Sequence, residues 1–325
     1  MKGCARTCLL WILWCIVAGG AFFYYLRRFG VIEPQLWWAA AGAGVCSVIA
    51  VSYILVIRTT GKERSMLLEA MVGTPPKDGE WVAVSGTIRA ADPLRTPLTG
   101  VSAVAYEYDI YRVETRSSGR NSSSSKYSYY DGKALAASII TTRQGAVRLL
   151  AVPTLDMKME EFGTPAVVAN ARQYVSETHF QTRLTPKDHR VGVEQESTDD
   201  DGIFRVDKRL ETDHDVDVAD CNLAERSVKQ GVTNCAFGLF SPGRAGLIPH
   251  PNWAKQARLM RGDATTVAGQ LRSRMIKYVF GFLIFGAIAF GIVKFYQSYA
   301  LKENAALIVH FAPQNKAGAA SAAPA

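Results

Sequence analysis

The 325-residue chain carries 37 Lys and Arg against 29 Asp and Glu, a net charge of +8, with 48% apolar residues and a mean hydropathy of +0.03. That mean hides two populations, because apolar residues crowd the two ends while the middle is polar, so a purely soluble and a purely membranous class are both excluded. The six cysteines form no CxxC pair, which removes any local four-ligand zinc signature, and no Arg-rich run interleaved with aromatics gives a nucleic-acid footprint.

Residues 1–8 are a short flank with Lys2 and Arg6. Residues 9–26 are uncharged and stop at Arg27 and Arg28, about the minimum length for a first transmembrane helix. A cleavable signal peptide is the rival reading there, since Lys2 and Arg6 precede the apolar run and small residues follow its middle. Residues 35–57 form a second uncharged span, with Trp37 and Trp38 at one end and Arg58 past the other. Residues 276–300 form a third, whose flanking Lys277 and Lys294 can carry their ammonium groups to the interfaces. If cations stay inside, the N-terminus and the central domain are cytoplasmic, although Arg27 and Arg28 argue the other way. The excess positive charge fits attraction of juxtamembrane Lys and Arg to anionic lipid.

The central stretch, 58–275, reads as a strand-rich soluble domain, so the expected class is α+β, tethered by three transmembrane α-helices. Residues 59–76 predict a separate short amphipathic helix through Met66, Leu67, Leu68 and Met71. Residues 81–88 and 102–112 alternate as strands, with Gly86 weakening the far end of the first. The polar run 116–128 reads as a flexible Ser-rich loop at a hairpin tip. Residues 138–142 and 146–152 flank a turn at Arg143, Gln144 and Gly145 and predict a hairpin. Short strands are expected at 191–196, 202–207 and 216–220, and short helices at 222–237 and 253–261. The Ala-rich residues 301–325 read as a disordered tail.

The densest signature is PLRTPLTGVSAVAYEYDIYR, residues 93–112, preceded by Gly86 in VSGTI. Pro93 and Pro97 stiffen a loop, Gly100 permits a tight turn, and Tyr106, Tyr108 and Tyr111 supply aromatic strand surface. With Leu94, Thr96 and Leu98, this pattern resembles the beside-a-membrane (BAM) domain of GIDE-type E3 ubiquitin ligases. In that family a Gly-containing strand precedes a Pro-Leu-x-Ser/Thr-Pro-Leu-x-Gly loop and a Tyr-rich strand follows. RLLAVP at 148–153 and Gly246, Leu247, Ile248 and Pro249 continue the likeness, which covers roughly residues 72–272. The resemblance implies a domain held between spans and, in the family's ligases, a zinc-binding RING after the last span. Here the residues after Ala300 include no cysteine and one histidine, His310, so the resemblance supplies an architecture and leaves ubiquitin transfer unsupported. Chains with such a domain and no RING occur in bacteria, so the resemblance suggests an inner-membrane setting.

No catalytic motif surrounds His179, His189, His214 or His250. His214 between Asp213 and Asp215, and the run Asp199, Asp200, Asp201 and Gly202, read as solvated turns rather than metal sites. No cofactor or metal site is expected, and Cys221 and Cys235 read as ordinary thiols that an oxidising compartment could join. Ala40 with Gly44, and Ala287 with Gly291, let helices approach closely, within one chain or between two copies as a homo-oligomer. The expected function is a membrane-anchored, non-catalytic protein-interaction or scaffold module whose partners are the lipid bilayer and a protein. Ubiquitin transfer and a structural subunit of a membrane complex are the alternatives.

Overall fold

The three apolar runs are helical in the computed structural model, which describes residues 2–31, 35–73, 77–118, 121–183, 204–211, 216–251 and 256–311. They lie within α1 (Lys2–Arg27), α2 (Gln35–Val72) and, after the domain helix α3 (Pro165–Glu177), α4 (Ala264–Phe311). Two compact units result: residues 1–62 with 272–325, and residues 63–271. The helix expected separately at 59–76 is a continuation of α2, since Gly61 costs a helix only about 1 kcal/mol and no proline intervenes. The tail expected to be disordered from 301 is helical through Phe311, and residues 312–325 lie outside the described residues.

In the helical unit, contacts replace side chains with backbone. A methyl group on Gly44 would lie 3.0 Å from the Cα of Gly19, so α1 and α2 touch through glycines. The Tyr53 ring covers Gly281 and lies between Tyr278 and Phe285 of α4. Leu26, Leu36, Ala39, Ala43, Val293 and Ala300 close one end as a buried cluster. Among the described residues two helices, Gln35–Val72 and Ala264–Lys302, are long and apolar enough to cross a membrane. Among the described residues the apolar stretch of α1, Trp11–Arg27, is shorter. The structure therefore gives two such helices where the sequence suggested three.

The other unit is mixed helix and sheet. Its strands are β1 (Trp81–Ala90), β2 (Leu94–Arg95), β3 (Ser102–Ala103), β4 (Ala105–Ser118), β5 (Asn121–Leu135), β6 (Ser138–Thr142), β7 (Gly145–Leu149) and β8 (Thr154–Leu155). Then come β9 (Glu160–Phe162), β10 (Gln181–Arg183), β11 (Phe204–Leu210), β12 (Asn222–Val228), β13 (Thr233–Ser241), β14 (Gly246–Ile248) and β15 (Arg258–Arg261). The order β1-β6-β7-β14-β13 returns to β1, because β1 pairs with β6 through its last residues and with β13 through its first seven. Five strands thus close a small barrel, and β15 and β8 extend from β13. Gly86 sits where β1 passes from one partner to the other; a Cβ there would lie 2.1 Å from the Thr141 carbonyl oxygen, so closure needs glycine.

Ile88, Ile140, Leu149, Leu247 and Leu259 fill the barrel side, each with at most 1% of its surface exposed. Side chains of this size contribute roughly 1.5–3 kcal/mol each on full burial. The opposite face of β13 presents Cys235 and Phe237 to Leu67 of α2 and to Val267, Ala268 and Leu271 of α4. The second sheet, β10-β11-β5-β4-β12-β9, carries α3 on one face through Val167 and Ala171.

Several local expectations change. The Ser-rich stretch read as a loop is the start of β5, paired residue by residue with β4 from Ser118 and Asn121 inward. Residues 222–237 are β12 and part of β13 instead of a helix, and 258–261 form β15, so strand pairing overrides the helix-forming Leu, Ala, Glu and Arg there. Val218–Asp220 is a 3₁₀ turn. The strand expected at 191–196, His214 and the Asp199 to Gly202 turn lie outside the described residues.

Candidate functional site

The signature loop links the barrel to the second sheet and closes on itself. The Thr96 hydroxyl accepts from the Val101 N–H at 3.1 Å and shares a hydrogen bond with the Thr99 hydroxyl at 2.8 Å, while the Gly100 N–H donates to the Thr96 carbonyl. Gly100 takes φ +67°, which completes that turn. Both carboxylate oxygens of Glu225, on β12, enter the loop: one accepts from the Leu98 N–H at 2.8 Å, the other from the Thr99 hydroxyl at 2.5 Å. Asn170 of α3 donates to the Leu98 carbonyl at 3.0 Å.

The centre of the loop is buried. Thr96, Pro97 and Leu98 are buried, Leu94 and Thr99 are half-buried, and Pro93, Arg95 and Gly100 are exposed. Leu98 packs among Tyr106, Tyr108, Val167 and Leu223. The loop therefore acts as a plug between β12, β4 and α3.

The three tyrosines divide by strand parity. Tyr106 and Tyr108 face α3, whereas Tyr111 lies past a register irregularity in β4. One Asp207 oxygen on β11 accepts from the hydroxyls of Tyr108 and Tyr174, each at 2.7 Å, and the other from Arg205 Nε at 2.8 Å. Burial, with the neighbouring Tyr174 and Asp207 adding to it, pushes the Tyr108 phenol far up, and burial likewise raises Tyr106 and Tyr174. Tyr108 and Tyr174 stay protonated and donate to Asp207, so the network is a lock rather than a proton-transfer site. Tyr111 donates to Glu161 at 2.6 Å, which holds its own proton and raises it to about 12; Lys126 lies 3.6 Å over its ring.

Asn170, Tyr174, Asp207 and Glu225 escaped the sequence reading. Parity held the signal, since Glu225 is two residues from the apolar Leu223 and so shares its face, but that stretch had been read as helical. Cys221 and Cys235 are both free thiols, and burial pushes Cys235 up to about 11, which makes it unreactive. Among the described residues no group of three His, Cys, Asp or Glu side chains is placed to hold a metal ion.

The most exposed construction is the β4–β5 hairpin. Pairing of β12 with β4 stops at Tyr111, and pairing of β11 with β5 stops at Tyr130, yet β4 and β5 stay paired out to Ser118 and Asn121. Residues 112–118 and 121–127 thus leave the sheet as a two-stranded arm roughly 24 Å long. Its outer edges have no strand partner among the described residues. Val113 on it is 46% exposed.

No known protein family, curated protein or solved structure matches this chain.

Proposed function

We propose that the chain is a membrane-anchored, non-catalytic interaction module of the GIDE-type beside-membrane class, whose β4–β5 arm docks a protein partner. In this reading α1, α2 and α4 all span, and the sheet domain faces the cytoplasm of a bacterial inner membrane. The arm is the observation that carries it: two paired strands, with no strand on either outer edge among the described residues, offer backbone donors and acceptors for strand addition. Anchoring supports it by raising the effective concentration of a partner in the same membrane. Of the exposed large apolar side chains, all but Leu68, Met71, Val72, Val113 and Ile139 belong to the helical unit, as lipid contact requires. The glycine contact of α1 with α2 supports a spanning α1, and the Lys and Arg near the N-terminus and at the domain junctions support the orientation, against which Arg27 and Arg28 count.

The test is photocrosslinking in native membranes from a reactive side chain placed at Thr115 or at Ser125, both exposed on the arm. The same protein adduct should form from both positions and not from Glu177 on α3. Equal adducts from all three positions, or none above background, would remove the arm from the reading.

A further inference from the structure

The two outer edges of the β4–β5 arm differ in charge. On β5, residues 121–127 read NSSSSKY and carry one charge, Lys126; on β4, residues 112–118 read RVETRSS and carry both signs. Arg112, at the base, is ion-paired to Asp220 at 3.4 Å, and beyond it no strand lies along the β4 edge among the described residues. Arg112, Val113, Glu114 and Thr115 are all exposed. No proline or lysine interrupts this edge, and the register irregularity of β4 lies further in, between Ile110 and Tyr111. A ribbon of two strands is marginally stable in water and gains from further strands.

Symmetry restricts how a second copy can add to this edge. Alternate residues of a strand turn their backbone N–H and C=O outward, so two identical edges that pair antiparallel must match residues of the same parity. A pairing centred on Glu114 opposes Glu114 to itself and Arg112 to Arg116, and one centred on Arg116 opposes that arginine to itself. A pairing centred on Thr115 places Glu114 opposite Arg116 twice over, Val113 opposite Ser117 and Arg112 opposite Ser118, so the whole free segment is matched with no like charges across. Centred on Val113 or Ser117, only three residues of the segment overlap. Opposite charges across a ladder stabilise it and like charges destabilise it, so the sequence of the edge selects a single extended register.

We propose that the partner of the arm is a second copy of this chain, joined β4 to β4 about Thr115 in a four-stranded antiparallel sheet of order β5-β4-β4-β5. This rests on the reading of the arm as a docking element and names what docks there. Both copies lie in one membrane in that reading, which raises their effective concentration and lets a short pairing suffice.

The experiment oxidises the full chain in its native membrane after cysteine substitution and identifies the linked peptides by mass spectrometry, which separates them from links through the chain's own cysteines. Thr115→Cys should link to its counterpart in a second copy roughly tenfold more than Val113→Cys, whose counterpart is four residues away along the ladder, about 13 Å. A mixture of Val113→Cys and Ser117→Cys chains should link between the two. Adding Glu114→Arg or Arg116→Glu to Thr115→Cys should lower its linkage roughly tenfold, and adding both should restore it. Within the hairpin Glu114 is opposite Ser125 and Arg116 is opposite Ser123, so these reversals oppose no like charges inside one arm, and restoration shows that the arm is formed. Equal linkage from Thr115→Cys and Val113→Cys, no linkage, or a charge swap that fails to restore it would overturn the proposal. Photocrosslinking from position 115 separates the two readings: an adduct with a different protein and none with a second copy would refute the self-pairing and leave the arm a docking element, whereas no adduct would remove both.

Discussion

Removing the carboxylate that pins the signature loop should unfold that loop before it affects anything else. Glu225 is 3% exposed and accepts from the Leu98 N–H and the Thr99 hydroxyl, at 2.8 Å and 2.5 Å. Hydrogen bonds to a charged acceptor contribute about 1.5–3 kcal/mol each, and truncation leaves the Leu98 amide buried without a partner. Glu225→Ala should therefore cost about 3–5 kcal/mol, a large part of the roughly 5–15 kcal/mol of a typical domain. Glu225→Gln keeps one carbonyl acceptor but turns an amide NH2 toward the other donor, so about half of that loss, roughly 1.5–3 kcal/mol, is expected. The assay is urea unfolding of the full chain in detergent, read by the near-ultraviolet dichroism of Tyr106, Tyr108 and Tyr130, which pack beside the loop. Hydrogen exchange at the Leu98 amide gives the local readout. A Glu225→Ala loss below about 1 kcal/mol, with Leu98 exchange unchanged, would refute the account of the loop as a plug.

Three further outcomes follow from the same geometry. Gly86→Ala forces a methyl group to 2.1 Å from the Thr141 carbonyl and should cost at least about 3 kcal/mol in the same urea assay, whereas Gly163→Ala, with open space around it, should be near neutral. Asp207→Asn must turn an NH2 toward either Arg205 or the two tyrosines, so it should cost about 2–4 kcal/mol; an unchanged midpoint would show that the network is not cooperative. The folded-state pKa values of Tyr106, Tyr108 and Tyr174 lie above the unfolded value of 10, burial being the main cause. Their contribution is complete below pH 10 and is lost as pH rises further, so the domain should unfold in alkali. Tyrosinate absorbance from these residues should appear with unfolding and not before it.

What the sequence disclosed depended on the range of the forces involved. Alternation in SAVAYEYDIYR marks a strand because parity is local, and Arg143, Gln144 and Gly145 mark the β6–β7 turn for the same reason. The helix α3 passed unread although Thr164 and Pro165 form a usable start signal, because valines and a polar face gave PAVVANARQYVSE no clear period. NLAERSV is built from helix formers and still pairs on both sides, with Tyr111 to Ala105 of β4 and with β9, so tertiary hydrogen bonds outweigh a propensity of tenths of a kcal/mol per residue. The Ser-rich half of β5 has little strand preference of its own and is held in register by the strand beside it.

The candidate site shows the same division, with a consequence for the family resemblance. Pro93, Pro97 and Gly100 announced a turn, but the group that closes the turn, Glu225, is 127 residues from Leu98 and carries no motif around it. Thr96, Leu98 and Gly100 act on the loop itself, through hydrogen bonds and packing that leave no donor or acceptor directed at a ligand. Residues placed this way join a barrel to a sheet, and a joint of that kind specifies no chemistry. The buried centre of the motif, Thr96 to Leu98, thus serves packing, and a ligand or partner would meet other surfaces. The β4–β5 arm is such a surface, and it shares only Arg112 with the signature.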